Sequence, residues 1–358
     1  MRSALSSLVV AVGLATLTAC GTGAVAAPLP VGPATKAPAT PVTSTPASPS
    51  ATEKPTVTFA ALGDIGSDAN AADVLTALGQ AGTDLSVVVG DLSYGKVGQE
   101  AQWCDFVKQR LGPSYPFEVL SGNHDSNGKN GNINDFSACL PNQLPGLVGT
   151  YGRQYYLDVP KEHPLVRLVM ISPGLAFPDG NYDYAKGGAD YVWTENAIDS
   201  ARAGGIPWVV VSAHKPCLSM GRYGCESGPD VFSMLLDKKV DLVLHGHEHL
   251  YQRTDQLTEG VSGCSTLLPG SYDSGCVVDS DNRFSQGAGT VAATVGAGGR
   301  PLRAVFPDDP EARYFEAASA KNQDPTHGFL KVTVDAKRLS AEFMGVNGSF
   351  TDSFTISR

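Results

Sequence analysis

The stretch LVLHGHEH, which runs from Leu242 to His249, joins a short apolar segment to three histidines. A segment of Leu and Val residues of this length is typical of a buried β-strand. We interpret His245 as a structural residue, because neighbouring side chains of a strand point to opposite faces. His247 and His249 lie just beyond the segment, where side chains can reach a ligand at the edge of a sheet.

Four other segments repeat this arrangement of an apolar run that ends in polar residues. Val57–Leu62 ends in Gly63-Asp64, Leu85–Val89 in Gly90-Asp91, Phe117–Leu120 in Ser121–His124, and Val209–Val211 in Ser212–His214. Helical patterns lie between several of these runs, at 71–78, 99–111, 191–203 and 231–237. The alternation predicts an α/β fold with the carboxyl ends of its strands on one side. The five polar clusters are therefore expected on one rim, where such folds bind ligands.

The chain changes character after the last histidine cluster. Strand-like patterns with few helical residues between them occur at Thr290–Val295, Gly328–Val334, Leu339–Met344 and Ser349–Ile356. We predict that these strands complete a second sheet of the same domain. A separate carboxyl-terminal domain is the weaker alternative.

The predicted rim gathers side chains that can bind metal ions: Asp64, Asp91, Tyr94, Asn123, His124, His214, His247 and His249. Carboxylate, imidazole, amide and phenolate groups together suit iron, zinc or manganese. A carboxylate shared by two cations gives the paired arrangement that clamps the oxygens of a phosphoryl group. Taken singly, an Asp after a strand is as well explained as a helix cap, and Asn123 as a turn residue. Their combination favours a metal site.

Five short strings carry a resemblance to a known family: GDIG at Gly63–Gly66, GDLSY at Gly90–Tyr94, GNHD at Gly122–Asp125, VSAH at Val211–His214 and GHEH at Gly246–His249. They resemble, in order, the motifs of the purple acid phosphatase branch of the calcineurin-like metallophosphoesterases. Five ordered motifs are more specific than any single one. The resemblance covers residues 56–300. It implies a four-layer α/β/β/α sandwich of two mixed sheets flanked by helices, with a dinuclear metal site at the strand carboxyl ends.

Carried over position by position, the resemblance implies two groups of metal ligands. Asp64, Tyr94 and His249 bind the first metal, Asn123, His214 and His247 bind the second, and Asp91 bridges both. His124 is not a ligand in this pattern. It donates a hydrogen bond or a proton to the leaving oxygen, and Asp125 orients it from outside the ligand set.

The same resemblance implies the metals. Tyr94 marks the branch, because a phenolate is a good ligand for ferric iron. The first motif has Gly66 where other branches of the superfamily have a histidine ligand. The expected cofactor is two metal ions, Fe(III) plus a divalent Fe, Zn or Mn.

The predicted reaction is hydrolysis of phosphate monoesters by a hydroxide held at the two metals, with His124 assisting departure of the alcohol. The chain is thus expected to be a phosphoric ester hydrolase of the acid phosphatase type, acting on a small phosphate ester. A phosphodiesterase or nucleotidase on the same scaffold stays open, because substrate choice depends on loops such as 127–148 and 177–189. A non-catalytic surface-binding lipoprotein is the least favoured alternative, since every expected ligand is present.

The amino-terminal residues lie outside the resemblance and are predicted to direct export. The apolar run Leu8–Leu17 is too short to span a bilayer and is typical of a signal peptide. The string LTAC at Leu17–Cys20 resembles a bacterial lipobox, in which the cysteine becomes the lipid-modified first residue. We predict a signal peptide at 1–19, a flexible Pro-, Thr-, Ser- and Ala-rich tether at 20–55, and a metallophosphoesterase domain at 56–358. An ordinary signal peptide with an accidental Cys20 is the alternative.

Cysteine usage supports export, and we expect the exported protein to be anchored to the cell membrane as a lipoprotein. Apart from Cys20, the chain contains Cys104, Cys139, Cys217, Cys225, Cys264 and Cys276. An even set suggests three disulfides, and sequence proximity favours Cys217–Cys225 and Cys264–Cys276, which leaves Cys104–Cys139. The formal net charge of -10, with no long basic run, argues against broad nucleic-acid binding. We expect membrane contact through the lipid anchor only and see no sign of an obligate protein partner.

Overall fold

The computed structural model describes Gly32 and residues 55–358. The predicted signal peptide, the lipidation site Cys20 and almost all of the predicted tether lie outside the described residues. Residues 55–358 belong to one compact unit. This unit carries the strands, helices and disulfides that position the candidate site.

Five α-helices are present in the described part of the chain: α1 (Ala69–Gln80), α2 (Glu100–Leu111), α3 (Ile133–Cys139), α4 (Ala189–Ala203) and α5 (Pro229–Asp237). α1 begins where the Asp68 side chain accepts a hydrogen bond from the Ala71 amide, which satisfies a free N–H of the first turn. Its buried residues Ala71, Val74 and Leu78 recur at intervals of three and four, so one face is apolar. The four predicted helices are confirmed, whereas α3 has no counterpart among them.

The first sheet contains seven strands: β1 (Val57–Leu62), β2 (Leu85–Val88), β3 (Phe117–Val119), β12 (Arg283–Ser285), β15 (His327–Val334), β16 (Arg338–Val346) and β17 (Ser353–Ser357). Their spatial order is β12-β17-β16-β15-β1-β2-β3. β1, β2 and β3 run parallel to one another, and β15 pairs with β1 in the antiparallel direction. The carboxyl ends of β1, β2 and β3 therefore lie at the same edge of this sheet.

The second sheet contains eight strands: β4 (Val148–Thr150), β5 (Gln154–Val159), β6 (Val166–Ile171), β7 (Trp208–Ala213), β8 (Leu242–His245), β9 (Tyr251–Thr254), β13 (Val291–Val295) and β14 (Phe315–Ser319). Their order is β14-β9-β13-β8-β7-β6-β5-β4, and β6, β7, β8 and β13 run parallel. A separate pair consists of β10 (Gln256–Leu257) and β11 (Val277–Asp279).

The carboxyl-terminal strands are divided between the two sheets, and this corrects the prediction that they complete a second sheet together. β13 lies beside β8 in the second sheet. β15, β16 and β17 instead extend the first sheet, where Val334 pairs with Val57 and Leu330 with Ala61. An apolar strand pattern reports burial, and both sheets bury the same kinds of residue. The pattern alone therefore does not tell a strand's partner.

The two sheets pack face to face, and the helices cover their outer faces. Phe59 of the first sheet belongs to the same apolar cluster as Val210 and Leu244 of the second. α1, α2 and α3 share a second cluster with Leu62, on the other face of the first sheet. α4 and α5 share a third cluster with Val211, on the other face of the second. The predicted four-layer α/β/β/α sandwich of two mixed sheets is confirmed.

Three disulfides close loops of this unit: Cys104–Cys139, Cys217–Cys225 and Cys264–Cys276. They agree with the pairing that sequence proximity favours. Cys104–Cys139 joins α2 to the end of α3, and Cys217–Cys225 closes the loop that follows β7. Across Gly32 and residues 55–358, none of the helices is long and apolar enough to cross a membrane.

Candidate metal centre

The candidate ligands lie at the carboxyl ends of five strands that belong to both sheets. Those between residues 64 and 124 follow β1, β2 and β3 of the first sheet. His214 follows β7, and His247 and His249 follow β8, in the second sheet. The single predicted rim is therefore formed by the edges of two sheets that face each other. All the predicted ligands and His124 are brought together there.

One half of the site is centred on the hydroxyl of Tyr94. This oxygen lies 2.9 Å from Asp64 Oδ1, 2.8 Å from Asp91 Oδ2 and 2.9 Å from His249 Nε2. His249 Nε2 is in turn 3.5 Å from Asp64 Oδ1. These are the residues that the resemblance assigns to the first metal, together with the bridging carboxylate.

The other half is centred on His214. Its Nε2 atom lies 3.1 Å from Asn123 Oδ1, 3.2 Å from His247 Nδ1 and 3.3 Å from Asp91 Oδ1. Asp91, His214 and His247 each offer a ligand atom within 4.8 Å of the other two. Asp91 thus faces the two halves with different oxygens, Oδ2 toward Tyr94 and Oδ1 toward His214. A carboxylate that faces both groups of ligands in this way can be shared by two cations.

Hydrogen bonds to the outer nitrogen of each imidazole leave the inner nitrogen free to bind a cation. Nδ1 of His214 and Nδ1 of His249 lie 2.8 Å and 3.3 Å from backbone carbonyl oxygens. Nε2 of His247 lies 2.8 Å from the Glu226 carboxylate. Carbonyls and carboxylates only accept, so these outer nitrogens carry the protons. The nitrogens that face the other ligands therefore hold lone pairs, as in metal-binding histidines.

The buried acidic groups of the site favour the binding of a positively charged ligand. Burial, and next the proximity of Asp91, raises the pKa of the Asp64 carboxyl well above its usual range. Burial and the two carboxylates likewise raise the pKa of the Tyr94 phenol. Burial lowers the pKa of His214 and lowers that of His249 to about 3, so both imidazoles stay neutral. A cation would offset the crowded negative charge and bind neutral imidazoles, so the residues fit metal ions.

Four candidate ligands have left-handed backbone conformations, which residues other than glycine rarely adopt. The φ angle is 54° at Asp64, 53° at both Asp91 and Tyr94, and 69° at His247. Strained backbone conformations of this kind are common at functional sites, where contacts with the surrounding structure stabilise them. Gly122 allows its backbone to lie against the Asp91 carboxylate, because a Cβ at this residue would overlap that group.

His124 borders the site next to Tyr94 and Asp91. Its ring centroid lies 4.4 Å from that of Tyr94, and its Nε2 lies 3.8 Å from Asp91 Oδ2. Its Nδ1 lies 2.5 Å from Asn130 Oδ1. The Asn130 amide nitrogen donates to the carbonyls of Tyr94 and Gly95, so the amide oxygen faces the imidazole. His124 Nδ1 is therefore a donor, and Nε2 is the atom that faces the site.

The orienting contact expected from Asp125 comes instead from Asn130. The Asp125 carboxylate accepts hydrogen bonds from the backbone amides of Gly122 and Leu92. It is fully buried, and burial, followed by the Asp91 charge, raises its pKa to about 8. Asp125 thus fixes the two loops that carry the candidate ligands and does not contact the His124 ring. The sequence contains no periodic signal for Asn130, which lies in an irregular loop.

Two further residues, one in the loop closed by Cys217–Cys225 and one directly after it, contact His247 and were missed by sequence reasoning. The Tyr223 ring stacks on the His247 ring with a centroid distance of 4.1 Å. Glu226 accepts from His247 Nε2 and also pairs with Lys215 at 3.1 Å. The one available signal was the close spacing of Cys217 and Cys225 directly after the VSAH string, which indicates a constrained loop beside His214.

The fold and this ligand arrangement define a metallophosphoesterase. Residues 57–251, more than half of the chain, match the sequence profile of the calcineurin-like phosphoesterases. The chain belongs to the calcineurin-like phosphoesterase family.

Within that family, the chain is similar to purple acid phosphatases. It is 26% identical over 293 residues to probable inactive purple acid phosphatase 27 of Arabidopsis thaliana, with 77% of this chain and 43% of the relative covered. It is 24% identical over 218 residues to purple acid phosphatase 18 of the same plant, with 58% and 46% covered. The chain thus spans less than half the length of these relatives. The structure of purple acid phosphatase PPD1 from yellow lupin seeds superimposes with a TM-score of 0.62 at 20% identity, over 86% of this chain and 54% of that chain, and shares the fold.

Proposed function

We propose that this chain hydrolyses phosphate monoesters at a dinuclear metal centre, as an exported phosphatase of the purple acid phosphatase type. One observation carries the proposal: two groups of ligand side chains converge on different oxygens of the Asp91 carboxylate. Family membership and a relative named as a purple acid phosphatase support a phosphoric ester hydrolase. Another relative is named inactive, so the argument for activity depends on the residues of this chain.

The proposed ligand set has one shared carboxylate and three residues for each cation: Asp91 between the two, Asp64, Tyr94 and His249 on one side, and Asn123, His214 and His247 on the other. When bound, the cations would offset the negative charge of the phosphate oxygens and make a coordinated water a stronger acid. The contacts of the outer imidazole nitrogens support this set, because they direct the lone pairs inward.

The net reaction adds one water to the ester. A bond forms between the water oxygen and phosphorus, and the P–O bond to the leaving group breaks with its electron pair on the leaving oxygen. One proton of the water ends on that oxygen, and the other stays with the phosphate. His124 with a proton on both ring nitrogens is suited to deliver that proton from Nε2, because Asn130 holds Nδ1 and Nε2 faces the site. The ring then regains its second proton from the attacking water.

The proposed metals are Fe(III) and a divalent Fe, Zn or Mn. Tyr94 supports this choice, because its hydroxyl lies at the centre of one half of the site and a phenolate is an oxygen ligand suited to ferric iron. A purple colour that is lost in Tyr94→Phe, together with iron found by elemental analysis, is the expected result. A colourless, iron-free and active protein would overturn the iron assignment and leave the two-metal proposal standing.

The function is tested by hydrolysis of p-nitrophenyl phosphate with the purified full-length chain, loaded with iron, zinc or manganese in turn. We expect turnover that is lost in His247→Ala and kept in His163→Ala, which changes an exposed histidine in a turn. Bis(p-nitrophenyl) phosphate is measured in parallel, and a preference for it would replace the monoesterase by a phosphodiesterase. Absence of turnover of both esters by a metal-loaded chain would contradict the proposed function.

We further propose that the mature protein is exported and anchored through a lipid on Cys20. Three disulfides support export, because such bonds persist in oxidising compartments. Mass spectrometry of the native amino terminus tests the anchor. A lipid-modified Cys20 is expected, and an unmodified terminus at another residue would rule the anchor out.

A further inference from the structure

Arg300 is held against the candidate metal centre by both of its backbone polar groups. Its N–H donates to the Asp64 carbonyl at 3.0 Å, and its own carbonyl lies 3.1 Å from His327 Nε2. The guanidinium carbon lies 4.4 Å from the centroid of the Tyr94 ring. Gly66 leaves room for this side chain, because a Cβ at Gly66 would lie 3.0 Å from Arg300 Cδ. A fixed positive charge thus borders one half of the centre.

The guanidinium of Arg300 makes no hydrogen bond or ion pair with another residue of the described chain, and its Nε is buried without a partner. Two other basic side chains at the site do have partners. Lys215 pairs with Glu226 at 3.1 Å, and Arg303 donates to the His247 carbonyl at 3.0 Å. A buried donor without an acceptor has lost its water without compensation. Guanidinium groups bind phosphate and carboxylate oxygens well. Arg300 is therefore available to an anion that enters the site.

Arg300 and His124 pack on the same aromatic ring, that of Tyr94. The His124 ring centroid is 4.4 Å from the Tyr94 ring, which is also the distance of the Arg300 guanidinium carbon from that ring. The two groups are thus separated by no more than twice this distance. In the proposed reaction His124 donates a proton to the leaving oxygen. A substrate that carries a second anionic group within this span of its leaving oxygen could therefore contact both Arg300 and His124.

We infer that Arg300 forms a subsite for a second anionic group, so that the chain prefers phosphate esters whose leaving group is itself negatively charged. Sugar bisphosphates are one example of this class. The inference rests on the proposed hydrolase function and names a substrate class for it. The second anionic group keeps its own bonds and only binds, while the phosphoryl group at the metal centre is hydrolysed as described above.

The test compares fructose 1,6-bisphosphate with fructose 6-phosphate on the metal-loaded full-length chain. The quantity measured is the ratio of the two kcat/KM values. Because a hydrogen-bonded charge pair is lost, Arg300→Gln is expected to lower this ratio by about 10- to 100-fold. Arg300→Lys keeps a cation without the planar fork and should fall between wild type and Arg300→Gln. Arg222→Gln is the matched control, because Arg222 is an exposed arginine whose guanidinium lies 4.7 Å from the Tyr223 ring.

An unchanged ratio in Arg300→Gln, or an equal fall in Arg222→Gln, would overturn the subsite. Binding of methylenediphosphonate, whose P–C–P bridge is not hydrolysed, and of orthophosphate, measured by titration calorimetry, gives a readout that needs no turnover. Here Arg300→Gln should weaken methylenediphosphonate by about tenfold more than orthophosphate. If wild type hydrolyses none of the esters, the proposed function fails, and the calorimetric comparison alone decides whether the anion subsite exists. If Arg300→Gln does not fold, the same comparisons are made with Arg300→Lys, and wild-type values in that variant would contradict the inference.

Discussion

Replacing Glu226 with alanine is expected to weaken metal retention by about tenfold. Glu226 accepts from Nε2 of His247 at 2.8 Å, and this leaves Nδ1 facing His214 Nε2 at 3.2 Å. The carboxylate therefore fixes both the tautomer and the rotation of the His247 ring. In Glu226→Ala the His247 ring loses that acceptor. The ring proton can then move to Nδ1, the nitrogen that faces the centre, and that tautomer cannot bind a cation through Nδ1.

The magnitude follows from the contact and its exposure. A hydrogen bond to a charged group contributes about 1.5–3 kcal/mol when it is well shielded. The His247 side chain is 7% exposed, but that of Glu226 is 36% exposed. Solvent weakens the contact, and so does Lys215, which shares the carboxylate. We therefore take the lower end, about 1.5 kcal/mol, which corresponds to roughly a tenfold change in a dissociation constant.

The assay is competition for zinc between the full-length chain and a chromophoric chelator. Glu226→Gln keeps a carbonyl acceptor for Nε2 and should lose less affinity than Glu226→Ala. Glu195→Gln is the charge-matched control, because it removes a carboxylate on α4 that pairs with Lys238 at 3.5 Å. Equal zinc affinity in wild type and Glu226→Ala would refute the reasoning. Equal weakening in Glu195→Gln would show a general charge effect instead of an oriented ring.

Two further predictions concern residues outside the ligand set. Asn130→Ala removes the hydrogen bond that orients the His124 ring, so kcat for p-nitrophenyl phosphate should fall by about tenfold while the bound metal stays unchanged. Asn127→Ala in the same loop is the control and should not lower kcat. Steady-state kinetics and elemental analysis of each variant test this prediction. Burial raises the pKa of the Glu118 carboxyl from 4.5 to about 7. Between these pH values the folded chain keeps a proton that the unfolded chain releases. The free energy of unfolding should therefore fall by about 3 kcal/mol as the pH rises from below 4.5 to above 7. Glu118→Gln should remove this fall, as denaturant unfolding at about pH 4 and about pH 8 would show, and an identical slope in both proteins would contradict it.

Much of the candidate site could be predicted because its residues stand at the ends of regular elements. Asp64 and Asp91 each follow an apolar run of strand length, and His214 and His247 follow two more. Parallel strands bring such positions to one edge, so strand patterns alone predict their proximity. Which residue bridges and which residues form each group came from the resemblance, and the contacts in the structure group these side chains in the same way.

The residues around the ligands could not be predicted in the same way. Asn130 and Glu226 lie in irregular loops, where side-chain direction depends on contacts distant in the sequence. Asn130 is placed by its bonds to the backbone of Tyr94 and Gly95, and Glu226 follows a loop closed by a disulfide. Neither placement leaves a periodic pattern. The sheet to which β15 belongs was missed for a related reason, because its pairing with β1 joins residues far apart in the chain.

The strained conformations of the ligands explain why the site and the fold depend on each other. Asp64, Asp91, Tyr94 and His247 all have positive φ, and each such residue costs about 1–3 kcal/mol. These residues follow the ends of β1, β2 and β8, and their side chains meet at one centre. Two packed sheets with a continuous apolar core hold these turns in place. Because the same turns bring buried carboxylates and a phenol together, bound cations would relieve the repulsion between them, and metal binding would then stabilise these loops. Features that look unfavourable when each residue is considered alone are therefore what allows several strand ends to act as one site.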